Sequence, residues 1–277
     1  MARRARALVL ASVVAATAVV AVAQEPFMWR GWGRRVPPRF PTEQSYDGRF
    51  TFCRLMYQSY WREAGGSGWN TDYPGADLNL PIRLAELSQV RISRQPSGDA
   101  NHLVVRATDP YLFQCPFLLA SDVGTAQFEP AEIEALRRYF DKGGFLWVDD
   151  FWGERAWQVW VSQIGRVLPP GEFPIEDVPP SHPLWRTLFE VKALPQIPAI
   201  SHWRRSDGGT SERGSESAEP DIRAIHDRHG RILVLMTHDT DISDSWEREG
   251  EDPEFFYRFS PDGYAFAINA VVYAMTH

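Results

Sequence analysis

Carboxylates collect in this chain wherever an apolar run stops. Asp149-Asp150 follow FLWV, His238-Asp239-Thr240-Asp241 follow ILVLM, Tyr57 ends FTFCRLMY, and the segment WNTDYPGADLN carries Asp72 and Asp77. We take Tyr57, Asp77, Asp149, Asp150, His238, Asp239 and Asp241 as candidate ligand-binding residues. Asp149, Asp150, Asp239 and Asp241 are the candidate ligands for a divalent cation. Oxygen ligands suit a hard divalent cation, and a carboxyl beside a like charge holds its proton longer and can act as a general base. The same residues have a plainer use, because Asp at a strand end or helix start caps backbone N–H groups. Taken singly, each Asp fits either reading, and no residue is assigned a catalytic role.

Nucleophilic catalysis finds less support. A nucleophile elbow needs Ser or Cys at a sharp strand-to-helix turn, and the turn after Phe145–Val148 carries Asp149-Asp150-Phe151-Trp152-Gly153 instead. Of the histidines, His182 lies in SHPLW, where Ser181 is the expected helix cap, and His202, His226 and His229 fall in expected loops. His238 alone stands at a strand end beside carboxylates, where a structural and a catalytic role are both open. No GxGxxG or P-loop is present, so nucleotide binding has no positive signal. Cys53 and Cys115 flank or enter expected strands and have no CxxC or Cys/His metal spacing. A disulfide and two buried thiols both remain open.

The elements that would position these groups alternate. Phe50–Tyr57 reads as a strand, and Asn79 is the expected cap of a helix with Leu80, Leu84 and Leu87 on one face and Pro81 in its first turn. Leu103–Val105 and Pro116–Ala120 are short apolar runs of the kind buried strands use. Pro130 opens a helix with Ile133, Leu136, Tyr139 and Phe140 on one stripe, Gly143-Gly144 end it, and FLWV is the next strand. A helix over 154–168 follows, with Trp157, Trp160, Val161, Ile164, Val167 and Leu168 on its apolar face. Ile222–Ile225 and Ile232–Met236 flank HDRHGR as a hairpin, and Tyr264, Ile268, Val271, Val272 and Met275 mark a closing helix. The pattern predicts an α/β fold, a doubly wound and mainly parallel sheet with helices on both faces and an added hairpin. Ligands of such sheets bind beyond the carboxyl ends of the strands, where strand order reverses.

Around this domain, expected over 45–277, lie three segments of different character. Residues 1–23 read as a secretory signal peptide: Arg3, Arg4 and Arg6, then an apolar run, then Ala21-Val22-Ala23 before the cleavage site. The expected location is therefore periplasmic or extracellular, with no membrane span after cleavage. Residues 24–44 are an Arg/Pro/aromatic arm, and the polar stretch 206–220 is an expected flexible insertion. The net charge of −7 becomes more negative by three when the leader arginines go, which argues against nucleic acid. Eleven Trp fit core packing before sugar stacking.

Five segments together carry a family resemblance: RLMY (54–57), WNTDYPGADLNLPIRLAEL (69–87), LRRYFDKGGFLWVDD (136–150), SHPLW (181–185) and HDTDISDSWE (238–247). In these the sequence resembles the bacterial family called domain of unknown function 4159. Its members look like class I glutamine amidotransferase folds, akin to flavodoxin-like folds, without the amidotransferase nucleophile. The resemblance implies that Asp149-Asp150 stand where related enzymes carry the catalytic Cys, so glutamine amidotransferase activity is not expected. It further implies a binding or assembly role in the envelope. The combined expectation is an exported, non-catalytic ligand-binding or envelope assembly protein with an Asp-lined pocket, its partner a small ligand or an envelope protein. The alternative is a metal- or carboxylate-dependent hydrolase acting on an envelope glycan or peptide.

Overall fold

Strands with no polar alternation must be covered on both faces, and this governs the architecture in the computed structural model of the protein, which describes residues 36–63 and 65–277. The leader 1–23 and the arm up to residue 35 lie outside the described residues. In chain order the elements are β1 (Phe52–Met56), β2 (Gln58–Ser59), α1 (Gly75–Leu87), β3 (His102–Arg106), β4 (Phe117–Ser121), β5 (Ala126–Gln127), α2 (Pro130–Asp141) and β6 (Phe145–Asp149). Then come α3 (Gly153–Val167), β7 (Ile175–Asp177), α4 (Ile200–Arg205), β8 (Asp221–His226), β9 (Ile232–His238), α5 (Asp244–Glu247) and α6 (Pro253–Thr276).

Seven strands form one sheet in the order β3-β1-β4-β6-β9-β8-β7. The first five are parallel, and β8 and β7 extend the sheet antiparallel through the hairpin. Strands β1, β4, β6 and β9 are buried at every position. Alternation is expressed instead as a choice of face. Leu146 and Val148 of β6 join the cluster made with α2 and α3, whereas Phe145 and Trp147 join the cluster made with α1 and α6. The chain leaves β1 for β3 on one side and later places β4 on the other, so strand order reverses between β1 and β4. That crevice is where a parallel sheet exposes strand ends to a ligand.

Cys53 and Cys115 form a disulfide, Cα atoms 6.0 Å apart, joining β1 to the entry of β4 at the amino-terminal end of the sheet. At the far side of β3, the amide of Val104 donates to Arg39 O at 2.9 Å, and Arg106 lies 4.3 Å over the Phe40 ring. The polar stretch 206–220 carries a 3-10 turn at Gly214–Ser217 with Ser217 buried. No helix among the described residues is long and apolar enough to cross a membrane.

Several boundaries differ from the sequence reading. Helix α1 starts at Gly75, so Asn79 is inside it and Pro81 lies well past its first turn. The Asn79 amide is used elsewhere, donating to Trp246 O at 2.7 Å. Helix α6 begins at Pro253, beyond the sequence markers, with Asp252 capping Glu254 and Phe255 and with Pro261 inside it. The cap before Pro183 is His182, whose Nδ1 accepts from Leu184 N at 3.2 Å, and not Ser181. His202 lies on α4 and His226 in β8; neither is in a loop.

Candidate functional site

Three sheet strands deliver an aspartate at their carboxyl ends in the left-handed region: Asp122 after β4, Asp150 after β6 and Asp239 after β9, with φ of 53°, 56° and 58°; Asp72, ahead of α1, has φ 63°. Asp tolerates this region better than most residues because its short side chain bonds locally. The conformation turns the chain sharply off the strand. Asp72, Asp122 and Asp150 line one cavity of about 430 Å³, together with Asp241 from the loop after β9 and Asp244 and Glu247 of α5. Glu63 and Glu212 join them, against Arg205, Arg213, Arg248 and His202. Eight carboxylates thus face three arginines and one histidine, and Arg213 and Arg248 already lie beside Glu63, Glu212, Glu247 and Glu251.

The excess of negative charge is concentrated on the floor. Carboxylate oxygens of Asp72, Asp150 and Asp241 lie within 4.8 Å of one another, as do those of Asp72, Asp244 and Glu247. Burial first, and then neighbouring carboxylates, hold the protons of Asp72, Asp150, Asp241 and Asp244 well above the ordinary carboxylate range. Burial pushes Asp122 up to about 7 even though Gly68 N donates to its Oδ2 at 2.7 Å. Such a group can keep its anions at neutral pH only with a cation among them, or else it shares protons.

The other sequence candidates are placed apart from this floor. Tyr57 lies beneath it, its hydroxyl 2.5 Å from Ser121 O and 2.7 Å from Asp122 O, fastening the end of β4. Asp77 forms a fully buried ion pair with Arg54, which also donates to Trp69 O at 3.3 Å, Thr71 O at 2.9 Å and Ser121 Oγ at 3.0 Å. Arg54 thereby fixes the loop that carries Asp72. Asp149 is fully buried and accepts from Thr237 Oγ1 at 2.6 Å, Ser243 N at 2.9 Å and Ser243 Oγ at 3.0 Å, tying β6 to β9 and the loop before α5. Burial raises its carboxyl to about 6 against the pull of those donors.

Asp239 accepts from Gly153 N at 2.7 Å, so its carboxylate occupies the amino terminus of α3, the place where an anion would otherwise bind. His238 Nε2 lies 3.1 Å from Gly153 O, its ring packs against Phe151 and Trp157, and burial lowers its pKa to about 4. Of the seven candidates, then, Asp150 and Asp241 reach the cavity, and Asp72 from the quoted WNTDYPGADLN segment joins them.

Residues outside the candidate set complete the cavity. Asp122 had a visible signal, since it follows FLLAS as Asp150 follows FLWVD. Asp244 and Glu247 stand one helical turn apart on α5, a spacing that places two side chains on one face. Glu63, Glu212 and Arg213 come from segments without periodicity and gave no sign. The arrangement can hold a hard cation through oxygen ligands or keep a neutral carboxylic acid at pH 7 as a hydrogen-bond donor.

Comparison with curated proteins gives no match. A family model described as "Domain of unknown function (DUF4159)" matches residues 51–275, which include every strand of the sheet and every residue of the acidic floor. The chain belongs to that family.

Proposed function

We propose that the protein is an exported ligand-binding domain whose acidic cavity takes a divalent cation between Asp72, Asp150 and Asp241. The observation that carries this reading is the gathering of those three carboxylates within 4.8 Å at the reversal of strand order. An ion with oxygen ligands at about 2.3–2.6 Å spans such a group. The exposed Arg205 and half-buried His202 line the same cavity and would suit an anionic or polar ligand beside such a cation. Numbered by appearance, the parallel strands run 2-1-3-4-5, the order of flavodoxin-like folds, which supports the amidotransferase-like comparison. The disulfide supports export, because such bonds persist in oxidising compartments.

Calorimetry of the full chain with Ca²⁺, Mg²⁺ and Mn²⁺ at pH 7.5 tests the reading. Binding of at least one ion is expected, weakened tenfold or more by Asp150→Asn and by Asp241→Asn. Absence of heat with all three ions would sink it.

One observation favours a second reading, a hydrolase acting on an envelope glycan or peptide. Carboxylate oxygens of Asp150 and Asp241 lie within 4.8 Å, close enough for the charge on one to hold the proton on the other, and one of such a pair can act as general base while the other stays neutral. Turnover of cell-wall fragments that disappears in Asp150→Asn would select this reading over binding alone.

A further inference from the structure

We infer that the cavity is built for two divalent cations bridged by Asp72, an inference that rests on the cation reading above. The two acidic groups share only that residue: Asp72 with Asp150 and Asp241 on one side, Asp72 with Asp244 and Glu247 on the other. A carboxylate that bridges through both oxygens offers one to each ion, whereas a terminal ligand needs one oxygen for the metal and gains from having the other held in place.

The hydrogen bonds divide in that way. Asp150 Oδ1 accepts from Trp152 Nε1 at 3.0 Å, and Asp241 Oδ1 from Asp244 N at 2.9 Å. Asp244 Oδ2 accepts from Ile200 N, and Glu247 Oε2 from Arg248 Nε at 3.0 Å. In each of these four, one oxygen is anchored and no donor among the described residues reaches the other. Asp72 accepts no hydrogen bond from a described residue at either oxygen, and its Oδ2 is buried without a partner. A buried carboxylate oxygen left bare is costly unless something fills the position.

Charge leads to the same count. Five carboxylates carry five negative charges; one divalent ion leaves three of them uncompensated in a buried place, and two ions leave one. Arg54 is spent on Asp77, and among the five carboxylates Arg248 reaches Glu247 alone. Paired ions about 3.5–4 Å apart hold both oxygens of a bound phosphate or carboxylate group, so an oxyanion is the ligand class such a centre would take.

Mn²⁺ binding to the full chain at pH 7.5, followed by equilibrium dialysis and electron paramagnetic resonance, tests this. The expected result is two ions per chain with the broadened spectrum of a coupled pair. Glu247→Gln should weaken the second ion tenfold or more while changing the first less than twofold, leaving the sharp six-line signal of an isolated ion. Asp72→Asn should weaken both. If Asp72→Asn fails to fold by circular dichroism, Glu247→Gln, at a half-buried position, carries the test. A single Mn²⁺ per chain, unaffected by Glu247→Gln, would overturn the bridged pair and leave the single-cation reading standing. No bound Mn²⁺ would overturn both.

Discussion

Asp149 and Asp150 are neighbours in sequence and opposites in role. Asp149 points into the sheet and is consumed by Thr237 and Ser243; Asp150, at φ 56°, turns out of it into the cavity. Residue type and strand-end position identified both as candidates. Only the backbone turn, which depends on how β6 meets α3, separates them. The same holds for Asp239, absorbed by the first amide of α3, and for Asp77, absorbed by Arg54. The capping alternative therefore describes Asp239, and a structural ion pair describes Asp77, while the acidic floor was legible only as a composition of strand ends.

A pH prediction belongs at this scale. Folding raises Asp122 from 3.8 to about 7 and lifts Asp72, Asp150, Asp241 and Asp244 well above 3.8. The folded chain thus holds protons that the unfolded chain releases, so this stability is complete below pH 3.8 and is lost as pH rises through the folded values. His238, lowered from 6.5 to about 4, acts in the opposite direction, but its contribution is confined largely to lower pH. Above pH 6.5 the carboxylates dominate, Asp122 with its value of about 7 among them. With a chelator present, the urea midpoint should fall between pH 6.5 and 8, and Ca²⁺ should restore it at pH 8; a midpoint that rises in chelator would contradict the assignment.

Elements explain which boundaries could be read. Helices α2 and α3 were legible because each carries its own start and stop: Pro130 and Gly143 for α2, and an apolar stripe for α3 that ends at Val167. Helix α1 was misplaced because Asn79 has cap chemistry but a distant partner, Trp246 O on α5. Helix α5 was invisible, being one turn that exists by packing on α1 and α6. Gly263 permits that packing, since an added Cβ would lie 2.6 Å from Ser245 Cβ. Gly263→Ala should cost about 1–3 kcal/mol in urea unfolding through overpacking, and should weaken cation binding through displaced Asp244 and Glu247. The Arg54–Asp77 pair makes an element-scale prediction too. Arg54→Met leaves a buried carboxylate alone and should cost about 3–5 kcal/mol, part of which the double change with Asp77→Leu should return. Equal losses in the single and double variants would show that the Arg54 contacts to Trp69, Thr71 and Ser121 dominate instead.

At the scale of the molecule, the mainly parallel sheet and its hairpin were legible because strand and helix periods alternate cleanly from 103 to 168 and again after 220. The pairing of Cys53 with Cys115 was not, since it depends on β1 and β4 becoming neighbours although β3 lies between them in sequence. Closing a loop with a sequence separation of 62 is worth about 4 kcal/mol in the chain-entropy treatment. The double variant Cys53→Ala/Cys115→Ala should lose stability of that order in urea, with little change in cation affinity, because the bond lies at the end of the sheet away from the cavity.

That separation makes β1 and β4 asymmetric along their length. Their amino-terminal ends are covalently locked together, while β4 runs out to Asp122 on the acidic cavity and β1 to Tyr57, which holds that end of β4 by hydrogen bonds alone. In deuterium exchange, amides beside Cys53 and Cys115 should open only when the whole domain does, while those of Ser121 to Thr125 should exchange through smaller openings. Adding a divalent cation should slow the second set and leave the first unchanged, so one pair of strands would report global and local opening at its two ends.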